Sequence, residues 1–450
     1  MRLRSVIDLP VGMRYCFELL DLKSGFSRQY LLDTCMMTNR DAIESAHNEL
    51  REFYRLFIEE DRNQTGLQTI QFKLQRLKDI TGSINGLSSG RILDEIELFE
   101  IKSLAILNEE ISEFLSAYPI RTLELNDLKE VIAILNPDRI ISTSFYIYDS
   151  YSEELKVLRE KIKRLGAEDQ AEREELIIKC KDIEAQVRTM LSAQLKSYSE
   201  VLMGALLQLA KIDTLIARIL LMREYSWIIP NIIEGKPNKI EGLFNPYIKD
   251  ILNRKGKDFQ PVDISFGGIT VIVGANMGGK TVLLKSLALT QLLFQFGFPV
   301  PASDASLTVK EDIFLSVGDG QSEEEGISSF GAEMLKINKI LAAARSGVHI
   351  LALIDEPARS TNPIEGTALV SSLIDILTQY DNVDLVLATH YNLESGNYRG
   401  LKVKGPTETG MDYSLSDVYD SHAPMEALRI ASSMGIDSKW LSEAEKRLKK

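Results

Sequence analysis

The run Gly274-Ala275-Asn276-Met277-Gly278-Gly279-Lys280-Thr281 carries the sharpest chemical signal in the chain. It fits G-x-x-x-x-G-K-[ST], and it falls after the apolar, β-branched run Gly268–Val273 and before the amphipathic run Lys280–Phe296. Glycines let backbone N–H groups converge on phosphate oxygens, and a helix N-terminus adds positive potential. Gly274, Asn276, Met277, Gly278 and Gly279 then form a phosphate cradle. Lys280 reaches the β and γ phosphates and the Thr281 hydroxyl ligates magnesium, which makes Mg2+ and ATP the expected pair.

Leu351–Glu356 supplies the complementary half. Its apolar residues end in two carboxylates, which places Asp355 at a strand's C-terminal tip, where it binds magnesium through water. Glu356, one residue on, is positioned to orient or deprotonate the attacking water. Ala388-Thr389-His390 closes another buried run with an imidazole, which reads as a γ-phosphate sensor in the same sheet or, more plainly, as a structural strand-end histidine. Ser328 and Ser329, flanked by Gly326 and Gly331, open a helix. They form an ordinary N-cap and anion site, or a signature loop presented to the nucleotide of a second subunit.

The elements that must hold these residues follow from composition and periodicity. Ten of the 13 prolines and 20 of the 28 glycines lie at or after Pro230, so the first half is helix-permissive and the second rich in turns. Between Pro137 and Pro230 only Gly166 and Gly204 interrupt good helix formers. Glu153–Leu165 and a run from about Gln170 to Arg223 read as long helices meeting near Gly166, an antiparallel arm that serves dimerisation or acts as a lever. Upstream, residues 40–118 read as helices, with Ile70, Leu74, Leu77 and Ile80, or Ile92, Ile96 and Phe99, at helical spacing and Gly82, Gly86 and Gly90 as separators. Arg139–Tyr148 reads as a short strand pair. After Pro230 strands at 268–273, 313–317, 349–354 and 385–388 alternate with helices at 280–296, 332–345 and 365–380. That alternation specifies an α/β sheet of mostly parallel strands.

No apolar run reaches the roughly 20 residues of a membrane span, and none forms a secretory signal. Cys16, Cys35 and Cys180 show no metal-like spacing, which points to a reduced, cytoplasmic protein. The net charge of −13 splits almost evenly, with 30 basic and 37 acidic side chains in residues 1–229 and 22 and 28 in the rest. Neither half has the basic excess of a nucleic-acid module.

Taken together these motifs resemble the MutS family of DNA mismatch-repair ATPases. GANMGGKT is similar to the family's G-P-N-M-G-G-K-S, and Ser328-Ser329-Phe330 with Glu333-Met334 is similar to its S-T-F signature followed by E-M. Asp355-Glu356, Ala388-Thr389-His390-Tyr391, and Gly297-Phe298-Pro299-Val300-Pro301-Ala302 followed by Ile313-Phe314 match in order and spacing. The likeness is very specific over 268–395 and weaker over 90–250, where Phe145-Tyr146-Ile147, Leu155 and Arg159 resemble core and lever segments. The helices Met425–Met434 and Ser438–Leu448 resemble the family's C-terminal dimerisation element.

The resemblance implies a composite ATPase, homo- or heterodimeric, in which each site is completed by Ser328 or Ser329 of a second ATPase subunit and nucleotide state moves helical arms around duplex DNA. The expected architecture is α plus α/β. Residues 1–125 form a helical core, 126–229 a strand pair and lever/clamp arm, 230–420 a P-loop, ABC-like ATPase domain, and 421–450 the dimerisation element. The departures are specific. The mismatch-reading motif has no counterpart beyond Phe57-Ile58-Glu59, Val282 replaces a hydroxyl of the phosphate loop, and Phe244-Asn245-Pro246 stands where an arginine-histidine-proline element is usual. Pro357-Ala358-Arg359-Ser360-Thr361-Asn362-Pro363 replaces I-G-R-G-T-S, and no endonuclease tail is expected. The arm tip, Lys161-Ile162-Lys163-Arg164 with Glu168, Asp169 and Glu172, is of mixed charge. The expected partner is double-stranded or branched DNA; the alternative, for MutS-like chains without the mismatch domain, is an ATP-dependent reactivating chaperone of a cobalamin-dependent aminomutase.

Overall fold

Helix formers dominate one part of the chain and β-branched runs the other, and the fold separates accordingly. The computed structural model describes residues 1–60, 65–139, 146–166, 169–274, 279–317, 329–394, 396–407, 410–418 and 437–448. The chain divides into a helical unit, Asp21–Asp33 with Glu49–Ile219, and an α/β unit, Met1–Leu20 and Thr34–Asn48 with Leu220–Lys450.

In the helical unit the helix Glu95–Leu115 carries the densest core, burying Leu98, Ile101, Leu104, Ala105, Leu107 and Ile111. Its start is fixed by a capping box, in which the Asp94 carboxylate accepts from the Glu97 N–H at 2.9 Å and Glu97 accepts from the Asp94 N–H at 3.1 Å. Ile70, Leu74, Leu77 and Ile80 are buried as their spacing predicts, whereas Ile92 and Ile96 are 53% and 71% exposed because the buried face begins at Leu98. Gly82 and Gly86 do not separate helices; they lie inside Thr81–Ser88, which is held by buried Ile84 and Leu87.

Two helices, Glu153–Arg164 and Gln170–Leu195, pack against each other. Lys161 pairs with Glu172 at 2.7 Å, Arg159 with Glu184 at 2.7 Å, and Leu155, Leu176 and Cys180 are buried. The run to Arg223 is not one helix: a 3-10 turn at Lys196–Tyr198 separates Gln170–Leu195 from Ser199–Tyr225. Of the expected strand pair, residues 140–145 lie outside the described residues, and Tyr146–Tyr148 form no strand.

The α/β unit contains two sheets among the described residues. Strands β1 (Asn231–Ile232), β2 (Asn238–Leu243), β3 (Val262–Phe266) and β5 (Asp304–Leu307) form one, in the order β1-β5-β2-β3. The other runs β10-β9-β4-β8-β7-β6, from β4 (Ile269–Val273), β6 (Asp312–Ser316), β7 (Ile350–Asp355), β8 (Val383–Thr389), β9 (Arg399–Thr407) and β10 (Gly410–Val418). Every pairing in it is parallel except the β9–β10 hairpin. Val271, Ile350, Ala352, Leu385 and Leu387 pack on one face against Ile340, Val370, Leu373 and Ile374 of the helices Ser329–Arg345 and Pro363–Leu377. The helix Lys280–Gln295 packs against β7 and β8 and is buried along nearly its whole length.

Asp384, fully buried on β8, ties the two sheets together. It pairs with Lys310 at 2.5 Å and Lys236 at 3.1 Å, and it accepts from Asn238 Nδ2 at 3.2 Å and the Gly268 N–H at 2.7 Å. Of the C-terminal helices, Met425–Met434 lies outside the described residues and Ser438–Leu448 is a helix with Trp440 69% exposed. Among the described residues no helix is long and apolar enough to cross a membrane.

Candidate functional site

Register brings the carboxyl ends of three parallel strands side by side. Val273 of β4 pairs with Thr389 of β8, and Asp355 of β7 pairs with Ala388 of β8. The chain segments that leave these strands therefore begin next to one another, the place where open α/β sheets bind ligands.

Beyond β4 the helix Lys280–Gln295 starts from Gly279, whose φ of +78° is left-handed. A Cβ there would be strained and would also press on the Tyr413 ring at 2.9 Å. Lys280 is 5% exposed, and its ammonium donates to the Gly274 carbonyl at 2.7 Å and lies 3.7 Å from Glu356 Oε1. Burial pulls the Lys280 pKa down, and the charges of Glu356 and Asp355 oppose that without reversing it. Thr281 Oγ1 donates to Asp355 Oδ2 at 2.6 Å. Burial pushes the Asp355 carboxyl up and Glu356 adds to the effect, against the Thr281 hydrogen bond and Lys280.

Glu356 sits in a turn that L-residues seldom adopt, with φ of +47° at Glu356 and +59° at Ala358. The Glu356 N–H donates to Ala388 O at 2.8 Å, which pins the turn to β8. His390 Nδ1 lies 3.8 Å from Glu356 Oε1, with its ring 4.6 Å from that of Tyr391, and Arg359 Nη1 lies 3.8 Å from Glu356 Oε2.

The structure thus gathers Gly274, Gly279, Lys280, Thr281, Asp355, Glu356 and His390 at one edge of the sheet. Asn276, Met277, Gly278 and Ser328 lie outside the described residues, and Ser329 opens the helix Ser329–Arg345. The Asn245 of Phe244-Asn245-Pro246 is a buried helix cap: its Oδ1 accepts from the Ile248 N–H at 3.3 Å and its Nδ2 donates to Val11 O at 2.8 Å. Spacing did not single out Tyr413, which reaches Gly279 from the β9–β10 hairpin. Glu333 and Tyr391 stood in the motifs without a role, yet both hydrogen-bond Ala358 beside Glu356.

A magnesium ion fits the donors present. Thr281 and Asp355 offer hard oxygens in contact with each other, and Asp355 Oδ1 is buried and accepts no hydrogen bond among the described residues. Among the described residues no group of three or more His, Cys, Asp or Glu forms a separate metal cluster.

A mostly parallel sheet with a buried lysine at the N-terminus of the helix after β4, and with Thr281 of that helix hydrogen-bonded to Asp355 at the tip of β7, defines a P-loop α/β domain. Residues 270–401 match the family model for MutS domain V. The chain is 29% identical to an endonuclease MutS2 of Agathobacter rectalis over 65% of this chain and 35% of that protein. It is 25% identical to an endonuclease MutS2 of Streptococcus mutans over 94% of this chain and 62% of that protein. A DNA mismatch repair protein MutS of Staphylococcus saprophyticus is 27% identical over 51% of this chain and 26% of its own length. The match covers less than two thirds of each of these relatives.

Proposed function

We propose that the chain binds and hydrolyses ATP with magnesium and couples turnover to movement of its helical hairpin on DNA. The observation that carries the reading is the 2.6 Å hydrogen bond between Thr281 and Asp355, with the second Asp355 oxygen buried and unengaged among the described residues, beside the buried Lys280. Lys280 binds the phosphates, with the backbone of Gly274 to Gly279 around them. Thr281 and Asp355 hold magnesium, which when bound neutralises charge on the phosphates.

Glu356 takes the proton of the attacking water. Its carboxylate lies within 4 Å of Lys280, His390 and Arg359. His390 senses the γ-phosphate, and Ser328 or Ser329 of a second subunit completes the site. Relatives named endonuclease MutS2 and DNA mismatch repair protein MutS support DNA as the macromolecular partner.

Glu356→Gln tests the chemistry. The variant is expected to bind Mg-ATP as the parent does and to lose turnover by a factor of about 10² or more, within the range general-base removal produces. Equilibrium nucleotide binding and phosphate release read the two halves separately. Unchanged turnover removes Glu356 from the base role, and absence of Mg-ATP binding by the parent protein sinks the whole reading.

A further inference from the structure

We propose that Glu333 and Tyr391 are positioning residues that set the Glu356 carboxylate by gripping the backbone of Ala358, in the turn beyond it, through the two peptide units that flank its Cα. The proposal rests on the hydrolytic role given to Glu356 above and assigns the groups that hold it in place.

The turn needs holding. Two of its residues, Glu356 and Ala358, are left-handed non-glycines, a strained conformation that persists only where the surroundings over-determine it. Ala358 is 1% exposed, and its backbone is held on both sides. Its N–H donates to Glu333 Oε2 at 3.2 Å and its carbonyl accepts from the Tyr391 hydroxyl at 2.9 Å.

Each partner is itself anchored. Tyr391 follows His390 at the end of β8, and its hydroxyl lies against Gly366 of the helix Pro363–Leu377, closer than a Cβ at that position would permit. Glu333 lies in the first turns of the helix Ser329–Arg345, which Ser329 opens. Three elements therefore converge on the backbone of one residue, Ala358, two positions from the hydrolytic carboxylate. A displacement of the Glu333 helix moves Ala358, and the strained turn transmits it to Glu356. The grip gives the signature helix a route to the base within one subunit.

The test compares Glu333→Ala, Glu333→Gln, Tyr391→Phe and the double variant Glu333→Ala/Tyr391→Phe in the full chain, with kcat, KM for ATP, equilibrium Mg-ATP binding and thermal melting read for each. Glu333→Ala and Tyr391→Phe are expected to lower kcat by about tenfold to a hundredfold, the cost of a misplaced catalytic group, with nucleotide binding unchanged. Glu333→Gln recovers most of the rate, because its amide oxygen still accepts from the Ala358 N–H. The double variant loses much less than the product of the single losses, since both residues hold the backbone of the same residue, Ala358. Unchanged kcat in the single variants overturns the proposal, and so does a loss confined to nucleotide binding or a Glu333→Gln as slow as Glu333→Ala. Should Glu333→Ala fail to fold, Tyr391→Phe and Glu333→Gln decide by the same criteria. A parent protein that does not hydrolyse ATP overturns the proposed function itself, whereas an active parent with unaffected variants overturns only the grip.

Discussion

Two buried aspartates in the same sheet show how partners decide what burial does. Asp355 has a hydroxyl as its closest partner, and its carboxyl is pushed up by burial and by Glu356. Asp384 is buried too, which alone would push it up, but Lys310, Lys236 and the Gly268 N–H hold its carboxyl below the ordinary carboxylate range. The first is left poised for a cation, and the second is already neutralised and ties β8 to the smaller sheet. Asp384→Asn is expected to cost about 3–5 kcal/mol at neutral pH, because it leaves Lys310 buried without its carboxylate. The folded-state pKa lies below the unfolded value of about 3.9, so this stability is fully present above the unfolded value and is lost as pH falls through the folded one. Urea denaturation of parent and variant should therefore give a constant gap from neutral pH to about pH 5 that closes on further acidification. A gap that stays constant until both proteins unfold in acid excludes Asp384 as the source.

The helix Glu95–Leu115 shows the same logic one level up, since a local cap fixes where a buried face begins. Its buried Lys102 donates to the Tyr148 hydroxyl at 2.7 Å and to Asn136 Oδ1 at 3.0 Å, which joins this helix to the segment leading into the Glu153–Arg164 hairpin helix. Asp94→Ala removes half of the capping box and is expected to destabilise the protein by about 0.5–2 kcal/mol, measured as a lower denaturation midpoint with an unchanged slope. No change in midpoint would mean that burial of Leu98 and Ile101 alone fixes the helix start. Elements of this kind were legible in the sequence where burial was two-sided or a motif marked an end. β4, β7 and β8 read as continuous apolar runs because both faces are covered; Asp355 and His390 stand out because each sits at the end of such a run, and Lys280 because it closes the G-x-x-x-x-G-K-[ST] motif after β4. The β9–β10 hairpin was not foreseen: Lys402, Lys404, Asp412 and Ser414 break its apolar pattern, and with it went Tyr413 beside Gly279. The smaller sheet was missed for another reason. β1 and β5 pair across more than seventy residues of sequence, and no local period encodes such a partner. The grip on Ala358 is of that kind, joining residues from three separate elements.

For the whole molecule the open term is charge. At −13 the protein repels a phosphate backbone at long range, so any grip on DNA must come from local cations. On the helical hairpin several of these are already engaged: Lys161 with Glu172 at 2.7 Å, Lys179 with Glu175 at 2.7 Å and Arg164 with Glu160 at 3.5 Å. Such exposed pairs are worth about 0–1 kcal/mol each and could be exchanged for phosphate contacts, but the carboxylates left behind would then face the same backbone. The number of counterions released on binding should therefore be small. If DNA is the partner, duplex or branched DNA stimulates ATP hydrolysis at low salt. The logarithm of the binding constant then falls with the logarithm of salt concentration at about −0.9 per phosphate contacted, with a slope shallower than −5. A fluorescence-anisotropy salt series run beside the ATPase assay measures both. Absence of binding at the lowest salt, with ATP hydrolysis intact, would remove DNA as the partner while leaving the nucleotide site untouched, and would direct attention to an enzyme as the body on which the hairpin acts. Steep salt dependence would instead mean that the hairpin's ion pairs open on binding, and that the charge on its surface is a switch rather than a barrier.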